Sequence, residues 1–458
     1  MLFQGWTFLI FFIVFFAVYL AVKRTRFGNF WLLIASYIFY GWWEPWLPLL
    51  LVYLTCFDFI ATSRMEKSSH KKLYITLSIV NSLALLSFFK YSGFIVENIN
   101  ALLNFSEAAV SIAKPSILLP IGLSFYIFKS ISYVIDLYRG NIEREKNFFN
   151  FAVFVSFFPI ILAGPIERPG PLLAQIRNPS KIKTIDITDG LSLFITGLFK
   201  KVALADQLVL YVNSVYDKPS EFQSASLLLA TFAYGWQLYF DFSGYSDMAR
   251  GISRMMGFDI MLNFNNPYLA TGLRDFWRRW HISLSSWFRD YLYIPLGGNR
   301  KGQFNTYRNI LITMAVLGLW HGASWAFVLW GLFHGIGRCL TGGFEKSELY
   351  VQKIPLFIKR LWVFVFVTFG WILFRANTLS DAGVIFKRIF TTAITDPKFP
   401  LIFAAFILII WLYQIIYESR NSWILKAAPV KVGCAVLMIV YLLVFTSPAG
   451  RSFIYFQF

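Results

Sequence analysis

Leu317-Gly-Leu-Trp-His321-Gly-Ala-Ser-Trp325 lies inside an apolar segment, residues 309–340, that is long enough to cross a lipid bilayer. A transmembrane helix needs about 20 predominantly apolar residues. His321 interrupts this segment with an imidazole, which gains or loses a proton near neutral pH. Because an ionisable group at membrane depth is costly, it predicts a functional site. A hydrogen-bonded histidine between two helices is the structural alternative.

Apolar segments of comparable length recur along all 458 residues. Hydrophobic residues make up 57% of the chain and charged residues 14%, against about 25% charged in soluble domains. The segments lie at about 5–22, 29–42, 46–62, 73–95, 117–137, 148–165, 190–216, 223–240, 309–340 (interrupted), 356–375, 400–417 and 430–447. Some ten to twelve segments, two or three of which could be re-entrant, predict an all-α polytopic membrane protein.

The distribution of basic residues predicts the side of the membrane that each loop faces. Ten basic residues occupy the loops after the first, third and fifth segments, whereas the loops after the second and fourth contain Lys114 only. Since cytoplasmic loops have the excess of lysine and arginine, we expect an extracytoplasmic N-terminus. No basic residue precedes the first apolar segment, which argues against a cleaved signal peptide.

The net charge of +18 is best explained by the membrane. A strongly basic soluble protein would suggest nucleic acid, but basic loops also bind anionic lipid headgroups. We therefore expect the lipid bilayer, and no nucleic acid, as a partner. Cys56, Cys339 and Cys434 lie in apolar segments without the spacing of metal ligands, so neither a disulfide nor a metal site is predicted.

Prolines interrupt the chain where the sixth apolar segment ends. The sequence there is Phe158-Pro-Ile-Ile-Leu-Ala-Gly-Pro165-Ile-Glu-Arg-Pro169-Gly-Pro171, and each proline breaks helical hydrogen bonding. Irregular backbone at membrane depth is tolerated where it is buried in protein or lines a cavity. An ordinary interfacial loop is an equally good interpretation.

The most polar segment, residues 274–300, predicts an amphipathic helix that extends to about Tyr293. Helical periodicity places four residues along one stripe of it: Trp277, His281, Leu284 and Phe288. This helix is too charged to cross lipid and suits the membrane interface or the wall of a cavity. A surface anchor without chemistry is the alternative.

A second polar motif, Asp241-Phe-Ser-Gly-Tyr-Ser-Asp247, follows an apolar segment upstream. Its two carboxylates could bind a cation, but we expect them to pair with Arg274 or Arg278. Lys90, Lys129, Lys200 and Lys201 also interrupt apolar segments, and extension of the side chain to the membrane interface explains most of them.

Four motifs together resemble the membrane-bound O-acyltransferase family, in particular its bacterial branch of alginate O-acetylation proteins. They are Asp275-Phe-Trp-Arg-Arg-Trp-His281-Ile-Ser-Leu-Ser-Ser-Trp-Phe-Arg-Asp-Tyr-Leu-Tyr-Ile-Pro-Leu-Gly-Gly298, Leu-Trp320-His321-Gly322, Phe240-Asp-Phe-Ser-Gly-Tyr-Ser-Asp247 and Ala163-Gly-Pro-Ile-Glu-Arg168. The likeness extends from about residue 30 to the end of the chain. It implies a ring of about eleven transmembrane helices, with re-entrant and interfacial helices, around a central tunnel.

The resemblance implies that His321 is the catalytic histidine and that His281 is the second polar position of the site. An acyl donor would enter from the cytosol, and a hydroxyl acceptor would meet its thioester near His321. The chemistry agrees, because a hydroxyl becomes a good nucleophile when a base within hydrogen-bond reach takes its proton. His281 would orient the donor or stabilise the thioester oxygen.

Three arginines of the polar segment, Arg278, Arg279 and Arg289, are candidates for the donor's phosphates, because guanidinium groups match phosphate geometry. Trp320 and Ser285 complete the predicted donor-binding residues. Acetyl-CoA is the expected donor and is a substrate, so we predict no tightly bound cofactor.

The chain ends in Ser452-Phe-Ile-Tyr455-Phe-Gln-Phe458, an aromatic tail that could anchor at the interface or plug a cavity. It resembles a terminal motif of the same bacterial branch, in which the tyrosine is thought to relay the acyl group. The resemblance implies that Tyr455 is the hydroxyl that His321 activates.

The sequence thus predicts one membrane domain, residues 1–458, in an envelope-modifying O-acetyltransferase of the bacterial inner membrane. Its parts are N-terminal spans (1–140), a catalytic core (141–345), C-terminal spans (346–450) and an aromatic tail (451–458). Expected partners are acyl-CoA, an envelope polysaccharide and an extracytoplasmic acetyltransferase or esterase of the SGNH type. D-alanyl transfer to teichoic acid and a non-enzymatic transporter or flippase are the alternatives; the lack of an apparent internal repeat disfavours a transporter.

Overall fold

A computed structural model describes residues 1–106 and 110–445 of the chain. Over this part of the chain there are twenty α-helices and no β-strand. The helices are α1 (Trp6–Val22), α2 (Gly28–Tyr40), α3 (Leu47–Lys67), α4 (Lys71–Leu86), α5 (Ser92–Phe105), α6 (Leu123–Tyr138), α7 (Phe148–Ser156), α8 (Pro169–Arg177), α9 (Thr184–Leu198), α10 (Asp206–Tyr216), α11 (Ser224–Met255), α12 (Leu273–Arg279), α13 (Ile282–Phe288), α14 (Gly302–His321), α15 (Trp325–Phe344), α16 (Leu356–Arg375), α17 (Leu379–Thr391), α18 (Leu401–Glu418), α19 (Ser422–Lys426) and α20 (Ala428–Phe445).

By length and composition, four helical stretches of the described chain are able to cross a membrane. They are Leu47–Lys67, Lys71–Phe105, Leu356–Arg375 and Leu401–Glu418, and shorter apolar helices lie at Trp6–Val22, Gly28–Tyr40 and Ala428–Val444. Every predicted apolar segment contains a helix, so the prediction of an all-α membrane protein is confirmed. The count of about eleven spans and their arrangement around a tunnel stay predictions.

The chain divides into two compact units. The first comprises Met1–Gly190 and Ala249–Met261, and the second comprises Leu191–Met248 and the described residues from Leu262 onward. All predicted site residues that the structure describes belong to the second unit.

The proline-rich stretch belongs to the first unit and decides between two predicted alternatives. Helix α7 ends at Ser156, and residues 157–167 follow as buried, non-helical backbone. The Phe158 N–H donates to the Ser36 hydroxyl (3.2 Å), and the Glu167 carboxylate accepts from the Met261 N–H (2.5 Å). The first bond satisfies a backbone donor of the non-helical stretch, and the second ties the stretch to Met261. This stretch is therefore buried in protein and is not an exposed interfacial loop.

Candidate active site

His281 interrupts the segment that the sequence predicted to be one helix. The prediction of a continuous helix from residue 274 to about Tyr293 is wrong, because α12 ends at Arg279 and α13 begins at Ile282. His281 adopts a left-handed conformation, with φ 42° and ψ 56°. A non-glycine residue with positive φ is uncommon and costs about 1–3 kcal/mol, and such residues cluster at active sites.

Backbone hydrogen bonds on both sides of His281 hold it in this conformation. The Ile282 N–H donates to the carbonyl of Asn263 (2.9 Å), and the Asn265 N–H donates to the carbonyl of Arg279 (2.9 Å). The segment around Asn263 therefore runs alongside the break and takes bonds that a continuous helix would have made within itself.

The His281 side chain is fully buried, and its surroundings are polar on one side and aromatic on the other. Its Nδ1 lies 3.1 Å from the Asn263 side-chain oxygen. The ring of Phe242 lies 4.5 Å away, edge to face. This position lies between two seven-residue helices, outside the apolar spans. Burial lowers the pKa of His281 to about 3, so the imidazole is neutral at physiological pH.

His281 and His321 both pack against Trp320, so the structure brings these three predicted residues together. The ring centroids of Trp320 lie 6.0 Å from His281 and 5.0 Å from His321. His321 is the last residue of α14 and is buried. Its other ring neighbours are Trp330 at 5.1 Å and Phe374 at 5.2 Å. The arrangement places two imidazoles in an aromatic environment from which water is largely excluded.

Two glycines position His321 by letting α14 and α15 cross closely. A Cβ on Gly331 would lie 2.0 Å from the carbonyl oxygen of Met314, and a Cβ on Gly318 would lie 2.1 Å from that of Phe327. Small residues commonly permit such backbone approach between membrane helices. The crossing brings Trp330 of α15 against the His321 ring.

We expect Gly331→Ala to destabilise the protein, because the added methyl group and the Met314 carbonyl cannot occupy the same space. Overpacking of this kind costs about 1–3 kcal/mol or more. Gly342→Ala in the same helix is the matched control, since a Cβ there meets no atom within 4 Å. Thermal unfolding in detergent should show a lower Tm for Gly331→Ala and an unchanged or higher Tm for Gly342→Ala. Equal Tm values for the two variants would contradict the packing argument.

The aspartates of the second polar motif pair with lysines and not with the predicted arginines. The Lys201 ammonium lies 2.6 Å from the Asp241 carboxylate and 2.9 Å from that of Asp206. Lys200 lies 2.7 Å from Asp247. The expected pairing with Arg274 or Arg278 is therefore wrong. Lys201 does not extend to the interface either, because its side chain is buried between the carboxylates of Asp241 and Asp206; Lys200 is partly buried beside Asp247.

Of the three predicted phosphate-binding arginines, two already hold carboxylates. Arg279 lies 2.6 Å from Glu418 and 3.0 Å from the carboxylate four residues before it. Arg289 pairs with the adjacent Asp290 at 2.7 Å. Arg278 is exposed, and no ion pair is found for it among the described residues.

The remaining predicted residues contribute less to the described site. The Ser285 hydroxyl donates to the backbone carbonyl of Trp280 (3.2 Å), which is a bond within the α12–α13 turn. Tyr455 lies outside the described residues, so its predicted role stays a prediction.

Sequence reasoning missed Asn263 and Arg338. Asn263 contacts the ring of His281 although 18 residues separate them, and nothing in the local pattern singles it out. Arg338 lies within electrostatic range of Arg274, Glu345 and Tyr293.

Comparison with known proteins supports the family resemblance over most of the chain. Residues 32–377 match the model of the MBOAT, membrane-bound O-acyltransferase family. A probable alginate O-acetylase of Azotobacter vinelandii is 41% identical over 85% of this chain and 78% of its own length. A peptidoglycan O-acetyltransferase of Helicobacter pylori is 34% identical over 80% of this chain and 74% of its own length. A teichoic acid D-alanyltransferase of Streptococcus thermophilus is 30% identical over 51% and 59%.

The motifs that suggested the family lie largely inside the matched region, and the match is to enzymes, which disfavours the transporter alternative. The chain therefore belongs to the membrane-bound O-acyltransferase family and is an integral membrane O-acyltransferase.

Proposed function

We propose that this protein moves an acetyl group from cytoplasmic acetyl-CoA toward hydroxyl groups of an extracytoplasmic polysaccharide. The observation that supports it most is the packing of both His281 and His321 against one buried tryptophan, Trp320. Relatives named for acetylation of alginate and of peptidoglycan support the choice of acyl group and acceptor class. In this proposal the protein lies in the bacterial inner membrane with an extracytoplasmic N-terminus. About eleven spans surround a tunnel that joins the two sides.

His321 acts as the general base in the proposed reaction. Its ring takes the proton of the acceptor hydroxyl as the hydroxyl oxygen attacks the carbonyl carbon of the thioester. The carbon–sulfur bond then breaks, and the CoA thiolate leaves with the proton that the imidazolium returns. His281 orients the donor or stabilises the thioester oxygen during this step.

The donor's phosphates require cationic groups, and the ion pairs of the described residues change which arginines we propose for them. Because Arg279 and Arg289 already hold carboxylates, we assign the phosphates to Arg278 together with Arg274 and Arg338. A guanidinium that keeps its donors available binds phosphate more favourably than one engaged with a carboxylate.

Tyr455 is the proposed first acceptor. In this version its phenol oxygen forms an ester with the acetyl group, and an SGNH-type partner outside the membrane passes that group to the polysaccharide. D-alanyl transfer from a carrier protein is the second candidate, supported by the likeness to a teichoic acid D-alanyltransferase.

The relay is tested by reconstituting the protein in liposomes with radiolabelled acetyl-CoA and measuring covalent label on the chain. We expect label on the wild type and its loss in Tyr455→Phe. Tyr417→Phe, which alters an exposed tyrosine of α18, is the control and should keep the label. Label that persists in Tyr455→Phe would exclude Tyr455 as the carrier. Label from D-alanyl carrier protein, with none from acetyl-CoA, would favour the second candidate.

A further inference from the structure

The side chain of Asn263 contacts three groups around His281 with one atom, its carbonyl oxygen Oδ1. The Ser283 N–H lies 3.2 Å from it, the Ser283 hydroxyl 2.9 Å and His281 Nδ1 3.1 Å. On its other side, the Asn263 amide NH₂ donates to the Ser246 hydroxyl at 3.2 Å. All these groups are buried.

The donors around this oxygen fix its identity. A backbone N–H can only donate, so the Asn263 atom that faces the Ser283 N–H must be the oxygen and not the NH₂ group. The bond to Ser246 agrees, because it uses the NH₂ group in the opposite direction. The orientation of the amide therefore follows from the contacts themselves.

The orientation of the amide in turn fixes the proton on His281. If Nδ1 lacked a proton, its lone pair would face the lone pairs of the Asn263 oxygen at 3.1 Å, which is repulsive. The Ser283 hydroxyl offers no better donor to Nδ1, because it lies 3.5 Å away and its single hydrogen is directed at Asn263. A proton on Nδ1 turns the contact with the Asn263 oxygen into a hydrogen bond.

We infer that Asn263 is a positioning residue that holds neutral His281 in the tautomer with the proton on Nδ1, so that Nε2 presents a lone pair to the bound reactants. The role of that lone pair rests on the proposed function. It accepts a hydrogen bond, from an amide N–H of the donor's pantetheine arm or from the acceptor hydroxyl. It does not donate one to the thioester oxygen, so of the two roles proposed for His281 the structure favours orientation of a reactant.

The left-handed backbone conformation of His281 also helps to position its ring. Two backbone hydrogen bonds to the segment around Asn263 hold the residue at φ 42°, and the ring of Phe242 packs against the imidazole. Both the main chain and the ring of His281 are thus positioned by residues that are distant in sequence. Strain of this kind persists where the surroundings over-determine the conformation.

The tautomer can be measured directly in the wild-type protein. The chain has four histidines, and ring-¹⁵N labelling with NMR in detergent distinguishes protonated from unprotonated ring nitrogens. His281→Asn, which tolerates positive φ, identifies the signals of His281 by their disappearance. We expect a protonated Nδ1 and an unprotonated Nε2 at neutral pH. A protonated Nε2, with or without a proton on Nδ1, would overturn the inference.

Asn263→Leu tests whether Asn263 holds His281 in this tautomer. We expect the variant to lose the single-tautomer pattern of His281 and to lower kcat for acetyl transfer by about 10-fold or more, the size of effect seen when a metal-bound histidine loses its hydrogen-bond partner. Asn309→Leu is the control, because Asn309 is equally buried and bonds the Gly298 carbonyl instead. A variant that folds and keeps the wild-type tautomer would overturn the role of Asn263. If acetyl transfer is absent from the wild type, the proposed function fails while the tautomer measurement still stands.

Discussion

Replacing His321 by alanine will reduce acetyl transfer from acetyl-CoA by about 10²–10⁴-fold, the usual contribution of a positioned general base. The ring occupies the end of α14 and lies within 5.2 Å of three aromatic rings, those of Trp320, Trp330 and Phe374. The variant removes the proposed proton acceptor and leaves the arginines that we propose to bind the donor in place. Initial rates with radiolabelled acetyl-CoA, measured at saturating donor, should show the loss mainly in kcat.

His334→Ala is the matched control for this experiment. His334 is also buried, and its ring lies 5.1 Å from Trp330, so its loss creates a cavity of the same size in the same aromatic cluster. We expect His334→Ala to retain far more activity than His321→Ala, provided that both accumulate to wild-type levels. Equal losses in the two variants would assign the effect to packing. Transfer that persists at the wild-type rate in His321→Ala would remove this histidine from the mechanism.

Lys201→Met will produce the largest loss of stability of the variants considered. Lys201 is buried between the carboxylates of Asp241 and Asp206, and the variant removes the cation that lies between these two negative charges. Breaking a buried ion pair by removing one partner costs about 3–5 kcal/mol. We expect a clear fall in Tm in detergent and poor accumulation of the variant in membranes.

Lys218→Met is the control for the ion-pair argument. Lys218 and Glu221 form an exposed pair with a separation of 3.5 Å, and exposed pairs contribute about 0–1 kcal/mol. Its Tm should stay near the wild-type value. Similar Tm values for Lys201→Met and Lys218→Met would contradict the proposed importance of the buried ion pairs of Lys201.

Loss of these ion pairs should also disturb the ring of His281. Phe242 follows Asp241 directly in sequence, and its ring contacts His281.

The class of protein was predictable from the sequence because its determinants are local. Apolar length decides whether a segment becomes a membrane helix, and Leu356–Arg375 was predicted residue for residue. The importance of His321 was predictable for a related reason, since a titratable ring within apolar sequence is conspicuous without any knowledge of its neighbours. The prolines after residue 158 likewise predicted that α7 would end near them, because proline breaks helical hydrogen bonding.

The tertiary structure decided how the site is held together. Helical periodicity placed His281 on a continuous stripe, whereas contacts with Asn263, distant in sequence, hold it at a left-handed break between two short helices. The partners of Asp241 and Asp247 were also assigned wrongly, because lysines as well as arginines can neutralise a buried carboxylate and spacing along the chain does not distinguish them. Apolar length and hydrophobic period are patterns of neighbouring residues, so they can be recognised in the sequence. Ion pairs, the tautomer of a histidine and a positive φ depend on groups that are distant in sequence and that folding brings within about 3 Å.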